Sequence, residues 1–401
     1  MVVVTYSSCC GDYHYKVEPG AVSVNGTALG LRPGTVIMCN HGVYSQLTFS
    51  NLVGTALRPI IITNACGQVR MTGANKVNFS NCQHVRFLGS GSPMVNYGFY
   101  ISGDEIRVLN LSSDIEIAYI DMDGRGMDIK DSVVGHEAHE MNNILVHHSY
   151  IHDYGAEAIY IGNSSYDLHP GAFVMRNARV YNNIIDNCGE GIQCGSVVEG
   201  CLIHHNVLTN ITPEGAIDNT YGAIGVNQGT RAWVYNNIVD DCEGLGIADF
   251  DSYFATDIYN NLFIDCGTTL ANYQDVIRAN NDDNTVYNNT IINGGNRGIK
   301  FGAGSGSDEA FNNVILGTTN ASIEPGGNPG GNIHDNDTKE EGHTVVNYDF
   351  VNQAAGNYRL LVTSPGVDAG SADAAPLATD LDDNFRPVNG TYDIGAYEYQ
   401  G

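Results

Sequence analysis

The sequence predicts an all-β protein, a parallel β-helix in which short strands stack coil upon coil. Three observations lead there. Gly (48 of 401 residues) and Asn (43) together exceed a fifth of the chain, and both are poor residues for a helix interior. One short phrase, an apolar residue, an aromatic or His, then Asn-Asn and further apolar residues, recurs along the chain. No ten-residue helical stripe separates the copies, so βαβ units are excluded.

The phrase reads VYNNIID from Val180, IHHNVLT from Ile203, VYNNIVD from Val234, IYNNLFI from Ile258, VYNNTII from Val286 and AFNNVIL from Ala310, with a degenerate VHHSYIH from Val146. Its last polar residue falls at Ser149, Asn183, Asn206, Asn237, Asn261, Asn289 and Asn313, at intervals of 34, 23, 31, 24, 28 and 24. A second phrase, small-Ile-x-small or apolar, follows each first one, as in AIYI from Ala158, GIQC from Gly191, GIAD from Gly246 and GIKF from Gly298. Each unit therefore carries two or three strands, and the variable intervals place insertions in the turns. A period in the twenties with short strands is the mark of a solenoid whose coils stack about 4.8 Å apart.

Stacking gives the Asn residues a purpose. A side-chain amide at one turn reaches the equivalent amide on the next coil, and Asn tolerates the left-handed bend. Cys188, Cys242 and Cys266 each lie five residues after such an Asn and read as inward small apolar groups with free thiols. Cys9, Cys10 and Cys39 are the better candidates for oxidation.

Bulk charge narrows the function classes. With 18 Lys+Arg against 45 Asp+Glu the net charge is −27, which argues against nucleic-acid binding and anionic lipid surfaces. No apolar run is long enough to cross a membrane as a helix, so no membrane insertion is expected. The opening MVVVTYSSCCGDYHYKV lacks the basic and apolar regions of a signal peptide. The expected organisation is an N-terminal cap over 1–30, a β-helix over 31–340 and a closing segment over 341–401 packed on the helix.

On these residues the sequence resembles the right-handed parallel β-helix superfamily of pectate lyases, alginate lyases, chondroitinase B and polysaccharide epimerases. Within it, the secreted repeat proteins of Bacteroidetes are the nearest type. The stretches GTALGLRPGTVIMCNHGVYSQLTFSNLVGTALRPIIITNACGQVRM and YRLLVTSPGVDAG…DLDDNFRPVNGTYDIGAYEYQ match the opening coils and closing segment of that group. The resemblance implies a single right-handed β-helix of roughly 9–10 coils, a secreted or cell-surface location and a polysaccharide partner. It leaves activity open, because one fold hosts many chemistries.

The implied substrate face is the outer side of one sheet. Strand alternation puts Asp128, Lys130, Tyr160, Gln193, Arg278 and Lys300 outward there. A polyuronate lyase needs a cation to neutralise the substrate carboxylate, a base and an acid. Arg278 and Lys300, 22 residues apart, are the catalytic candidates, and Lys130, Tyr160 and Gln193 the substrate-binding ones. Asn227, Asp249 and Asp251 are candidate ligands for Ca²⁺. Chondroitinase B and its alginate-lyase relatives use such a set; here Arg precedes Lys and their Glu-rich ligand strand is missing.

Two histidine clusters stand apart. His136, Glu137, His139 and Glu140 lack the spacing of a HExxH zinc site and read as a polar turn, while HHSYIHD contributes His147, His148 and His152. His147 falls in the aromatic column of Tyr181, His204, Tyr235, Tyr259, Tyr287 and Phe311. The acidic runs from Asn280 to Asn284 and from Asp380 to Asn384 could each hold Ca²⁺. Two functions remain open: a polysaccharide lyase acting on an anionic glycan, and a non-catalytic glycan-binding, adhesin or filament protein, for which self-association is expected.

Overall fold

A computed structural model describes residues 2–3, 14–72, 77–109, 111–130, 139–163, 173–212, 222–250, 254–269, 274–280, 283–302, 307–324, 332–333, 338–341, 348–371 and 377–401. Among the described residues, regular structure is almost entirely strand, with one four-residue helix at Gly26–Leu29 and one short 3-10 turn at Gln353–Ala355. The chain divides into two compact units, residues 1–201 and 202–401. Each is built of short strands in parallel register, the architecture of the right-handed parallel β-helix.

In the first unit three sheets form. One runs through Ile60–Thr72, Gln83–Leu88, Ser113–Ala118, His139–His147 and Phe173–Tyr181. A second runs through the latter part of Ile60–Thr72, then Phe99–Ser102, Ile120–Asp123, Tyr150–Gly162 and Ile184–Gly195. The third joins Ala21–Asn25, Gln46–Ser50, Val77–Ser80, Ile106–Leu109 and Met127–Ile129. Within the segment expected to cap, His14–Val17 and Ala21–Asn25 already pair in parallel with the next coil. Inward positions are apolar and fully buried, and Phe49, Phe79, Phe87 and Phe99 pack ring against ring along the interior, stacked between Phe49 and Phe79 and edge-on between Phe79 and Phe87.

The second unit repeats the plan in three series of parallel strands. They run through Ala232–Tyr235 to Glu309–Phe311, Val207–Ile211 to Val314–Thr318, and Gly222–Val226 to Ala321–Glu324. The two Asn of each pair divide the work at its turns. The first adopts the left-handed conformation, with φ of 53° at Asn236, Asn260 and Asn288. The second points inward: Asn261 accepts from the backbone N–H and the amide of Asn237, and donates to the amide oxygen of Asn289 at 3.0 Å. Asn289 bonds Asn313 in the same way. These amides satisfy turn backbone that is shut away from water.

The left-handed Asn residues hand their amides to the closing segment. Asn236 donates to Asp380 O, Asn260 to Thr379 O and Asn288 to Asp393 O. Below that seam Tyr348, Phe350, Tyr358, Leu360 and Tyr397 pack on Leu262, Ile292, Val314 and Leu316. Arg386, fully buried, ties the segment together through Glu398 Oε2, the Asp393 carbonyl and Asn260 Oδ1.

Cys188, Cys242 and Cys266 are buried free thiols, Cys242 and Cys266 in register on adjacent strands. Cys39 is equally buried, and that burial pushes its thiol up to about 12, so it is shielded rather than exposed to oxidants. Cys9 and Cys10 lie outside the described residues.

Candidate active site

A cluster of proton-transfer groups stands on the outer face of the second sheet of the first unit. Alternation along each strand produces it. Ile101, Met122 and Ile151 point into the core with no exposed surface. Their neighbours point out and fall into two columns across consecutive strands. Register places Arg70, Tyr100, Asp121 and Tyr150 in one column, and Thr72, Ser102, Asp123 and His152 in the other. Asp186 continues the second column.

The groups hold one another in place. The Tyr100 hydroxyl donates to Asp123 Oδ2 at 2.9 Å and the Ser102 hydroxyl reaches the same oxygen at 3.3 Å. Both ring nitrogens of His152 face carboxylates: Nδ1 lies 2.7 Å from Asp153 Oδ2 and Nε2 lies 3.1 Å from Asp121 Oδ1. A ring with an acceptor at each nitrogen is a double donor, the imidazolium form. The Tyr150 ring stacks on His152 at 4.3 Å, and the Arg70 guanidinium sits 4.7 Å over the Tyr100 ring. Asn187 donates to Asp153 Oδ1 at 2.6 Å and fixes its second oxygen.

Electrostatics follow from this packing. Burial would lower His152, yet the hydrogen bonds and charges of Asp153 and Asp121 outweigh it and raise its pKa. Burial raises Asp121, with the like charge of Asp123 adding to it and His152 and Arg70 opposing. Burial, then the charges of Asp186, Asp153 and Asp121, raise the Tyr150 phenol. One face thus presents a protonated imidazole, a carboxyl of raised pKa, a phenol bonded to a carboxylate, and an exposed cation at the edge. Such a set can donate and accept protons at neighbouring atoms of one bound ligand.

Asp123, His152 and Asp153 each offer a ligand atom, all within 4.8 Å of one another, and could hold a metal ion. Two carboxylate oxygens and an imidazole nitrogen suit a borderline divalent ion better than Ca²⁺, which prefers oxygen throughout. Binding there would cost His152 one of its carboxylate partners.

The residues singled out from sequence fall elsewhere. Lys130, Tyr160 and Gln193 do come together in the first unit: Lys130 Nζ lies 4.8 Å over the Tyr160 ring and 3.2 Å from Asp128, and Tyr160 pairs in register with Gln193. Gln193 is only 6% exposed, so little of it reaches solvent. In the second unit Arg278 and Lys300 are register partners, in an outward column with Ala248 before and Glu324 after. The Arg278 guanidinium is bound by the buried Asp275, which Arg297 also contacts at 3.2 Å.

Of the expected ligand set, Asp249 is placed inward. That residue shares its column with Val226, Ala279 and Phe301, an inward column, and has no exposed surface. The outward position on its strand is Ala248, because side chains alternate and a shift of one residue reverses the face. Asn227 is 7% exposed. Asp251 lies outside the described residues, as do His136, Glu137, Asn281 and Asp282.

This cluster was missed because most of it precedes the regular repeat. Its members at Arg70, Tyr100 and Asp121 come from strands with no Asn-Asn phrase to mark the register, and Tyr150 and His152 lie in the degenerate copy VHHSYIH. His152 was visible only as a third histidine in HHSYIHD. The Asp-x-Asp of Asp121 and Asp123 was the signal available: two carboxylates two residues apart share one face of a strand.

No protein-family model matches the chain, and no curated protein matches it. Solved structures do. The chain is similar to XylC in complex with xylose, at 11% identity over 96% of this chain and 98% of that one, with a TM-score of 0.50. It is also similar to pectate lyase Pel9A, at 13% identity over 96% of both chains and a TM-score of 0.39. An alginate lyase from Paenibacillus sp. str. FPU-7 matches at 13% identity over 81% of this chain and 99% of that one, with a TM-score of 0.39. At such identities the likeness is one of fold. Among the described residues, no helix is long and apolar enough to cross a membrane.

Proposed function

We propose that this protein acts on a polysaccharide outside the cell, as a lyase that cleaves a uronate-containing glycan by β-elimination at the face formed by Arg70, Tyr100, Asp121, Asp123, Tyr150 and His152. The observation that carries the reading is the clamped His152 beside the Tyr100–Asp123 pair. Elimination breaks C5–H, moves that electron pair into a C4–C5 double bond and expels the glycosidic oxygen, which must take up a proton. Tyr100, relieved of its proton by Asp123, is the base in this scheme, and the His152 imidazolium is the acid. Arg70 faces the substrate carboxylate, whose neutralisation makes the C5 proton removable.

Asp121, Asp123, Asp153 and Asp186 outnumber Arg70 and His152 on this face, so a polyanion needs a counter-ion to settle there. Ca²⁺ carried in with the glycan carboxylates would supply that neutralisation and leave the carboxylates around His152 free for their roles.

A second reading keeps Arg278 and Lys300 as the reacting pair, on the strength of their register on adjacent strands. A third is a non-catalytic glycan-binding or self-associating surface protein. One experiment separates them. Alginate, pectate and chondroitin are incubated with the wild type, Tyr100→Phe, His152→Gln and Lys300→Ala, with and without Ca²⁺, and ultraviolet absorbance of the unsaturated product is followed. The lyase reading expects product from the wild type and Lys300→Ala, and loss in the other two. Loss confined to Lys300→Ala favours the second reading. Glycan retention without product from any polyuronate favours the third.

A further inference from the structure

The first unit carries another cleft, of about 200 Å³, on the outer face of a different sheet from the candidate active site. Its floor is two parallel rows. Arg86, Glu116 and Leu145 stand in register on three successive strands. Beside them His84, Asp114 and Asn143 project from left-handed turn positions, with φ of 51°, 58° and 57°. The wall is the Thr55–Pro59 segment, closed on itself by paired backbone bonds between Thr55 and Arg58.

These side chains are already fixed. Glu116 receives Arg86 Nε at 3.1 Å on one oxygen and His147 Nε2 at 3.3 Å on the other. Asn143 donates to Asp114 Oδ1 at 2.7 Å, and His84 Nδ1 stands 3.6 Å from Asp114 Oδ2. The cleft therefore presents a rim of planar polar groups in set positions around apolar surface from Ala56, Pro59 and Leu145. A pyranose ring has the matching character: hydroxyls around its edge and C–H groups on its faces. The volume is below the roughly 300–1,000 Å³ typical of sites for drug-sized ligands, which limits the occupant to about one ring. Two carboxylates, Asp114 and Glu116, face one permanent cation, Arg86, so the lining disfavours a negatively charged ring.

We propose that this cleft is a non-catalytic binding site for one neutral pyranose unit of a polysaccharide, separate from the face that carries the proton-transfer groups. Nothing in this inference depends on the lyase reading. It extends the protein's glycan contact to uncharged sugar, through hydrogen bonds to Asp114, Arg86 and Asn143 and packing on Leu145.

The test titrates the full chain with mannohexaose, xylohexaose, cellohexaose and laminarihexaose, and with a pectate trimer as the charged comparison. Binding is read by calorimetry and by the ring-proton resonances of His84. Expected is saturable binding of at least one neutral oligosaccharide, with a shift of the His84 signals in the wild type. Asp114→Ala should weaken it roughly tenfold or more, as loss of a hydrogen bond to a charged group does, and Leu145→Ser should weaken it too. His152→Gln should leave it unchanged, which keeps failure of the lyase reading distinct from failure of this one. Thermal melts confirm that each variant is folded, and the His84 shift in the wild type stands without any variant. The proposal is overturned if none of the four neutral oligosaccharides binds, if binding leaves His84 unmoved and survives both cleft variants, or if the pectate trimer alone binds there.

Discussion

Asn261→Ala is the substitution that best weighs the turn amides. Asn261 is fully buried, and its side chain makes five hydrogen bonds within the second unit. It accepts from the backbone N–H and the amide of Asn237, both at 3.0 Å, and donates to Val234 O at 2.9 Å, Tyr259 O at 3.0 Å and Asn289 Oδ1 at 3.0 Å. Truncation leaves the Asn237 N–H without this acceptor and weakens the setting of the others. An orphaned buried donor costs about 1–3 kcal/mol, and the small void adds to it, so the total should be about 3 kcal/mol. Asn320→Ala is the control, because that residue is exposed and its change should stay within about 0.5 kcal/mol. Urea unfolding followed by the single tryptophan, Trp233, reads the effect one coil away, since Trp233 pairs with Asp257 on the strand that leads to Asn261. A midpoint shift at unchanged slope is the expected form. If Asn261→Ala costs under about 1 kcal/mol, or no more than Asn320→Ala, the buried amides do not hold the turns and the reasoning fails.

Three further outcomes follow from the same packing. Arg386→Ala strands Glu398 as a buried charge and should cost about 3–5 kcal/mol, while Arg386→Met with Glu398→Gln should recover most of it; limited proteolysis of the closing segment reads both. Burial lifts the Asp393 carboxyl to about 6, so the native state binds the extra proton between the unfolded value of about 3.9 and that point. Stability of the second unit should therefore fall as pH rises through this window, and Asp393→Asn should make that slope shallower in thermal melts, the remainder coming from Asp240 and Asp380, which burial also raises. Cys66 is exposed and should react at once with a thiol reagent, whereas Cys188, Cys242 and Cys266 should react only on unfolding, counted by mass spectrometry.

The Asn-Asn phrase made the coil legible because it marks the same turn each time, and the stacked rings of Tyr235, Tyr259, Tyr287 and Phe311 follow the column it defines. The division of labour inside each pair was not legible. Nothing in the letters tells Asn260, which serves the closing segment, from Asn261, which serves the next coil. Parity decides the place of Asp249: its neighbour Ala248 stands in the column of Arg278, while Asp249 itself stands in the inward column of Val226 and Ala279, and both are buried. Charge scarcity drew notice to Arg278 and Lys300, yet a rare cation can also be spent on a buried partner, as Arg278 is on Asp275. The cluster around His152 hid for the opposite reason. It draws on four strands at irregular spacing, and only the stacking register brings Tyr100, Asp121 and His152 onto one face.

The central claim is that this face, rather than the Arg278–Lys300 column, engages the uronate at the bond that is cut. The most direct measurement is a crystal structure of His152→Gln, the slowed variant, soaked with a uronate trimer. The account predicts a sugar ring over Tyr100 and Tyr150, its carboxylate toward Arg70 and its glycosidic oxygen within hydrogen-bond reach of residue 152. A trimer seated instead along Arg278 and Lys300, with the His152 face bare, would contradict it.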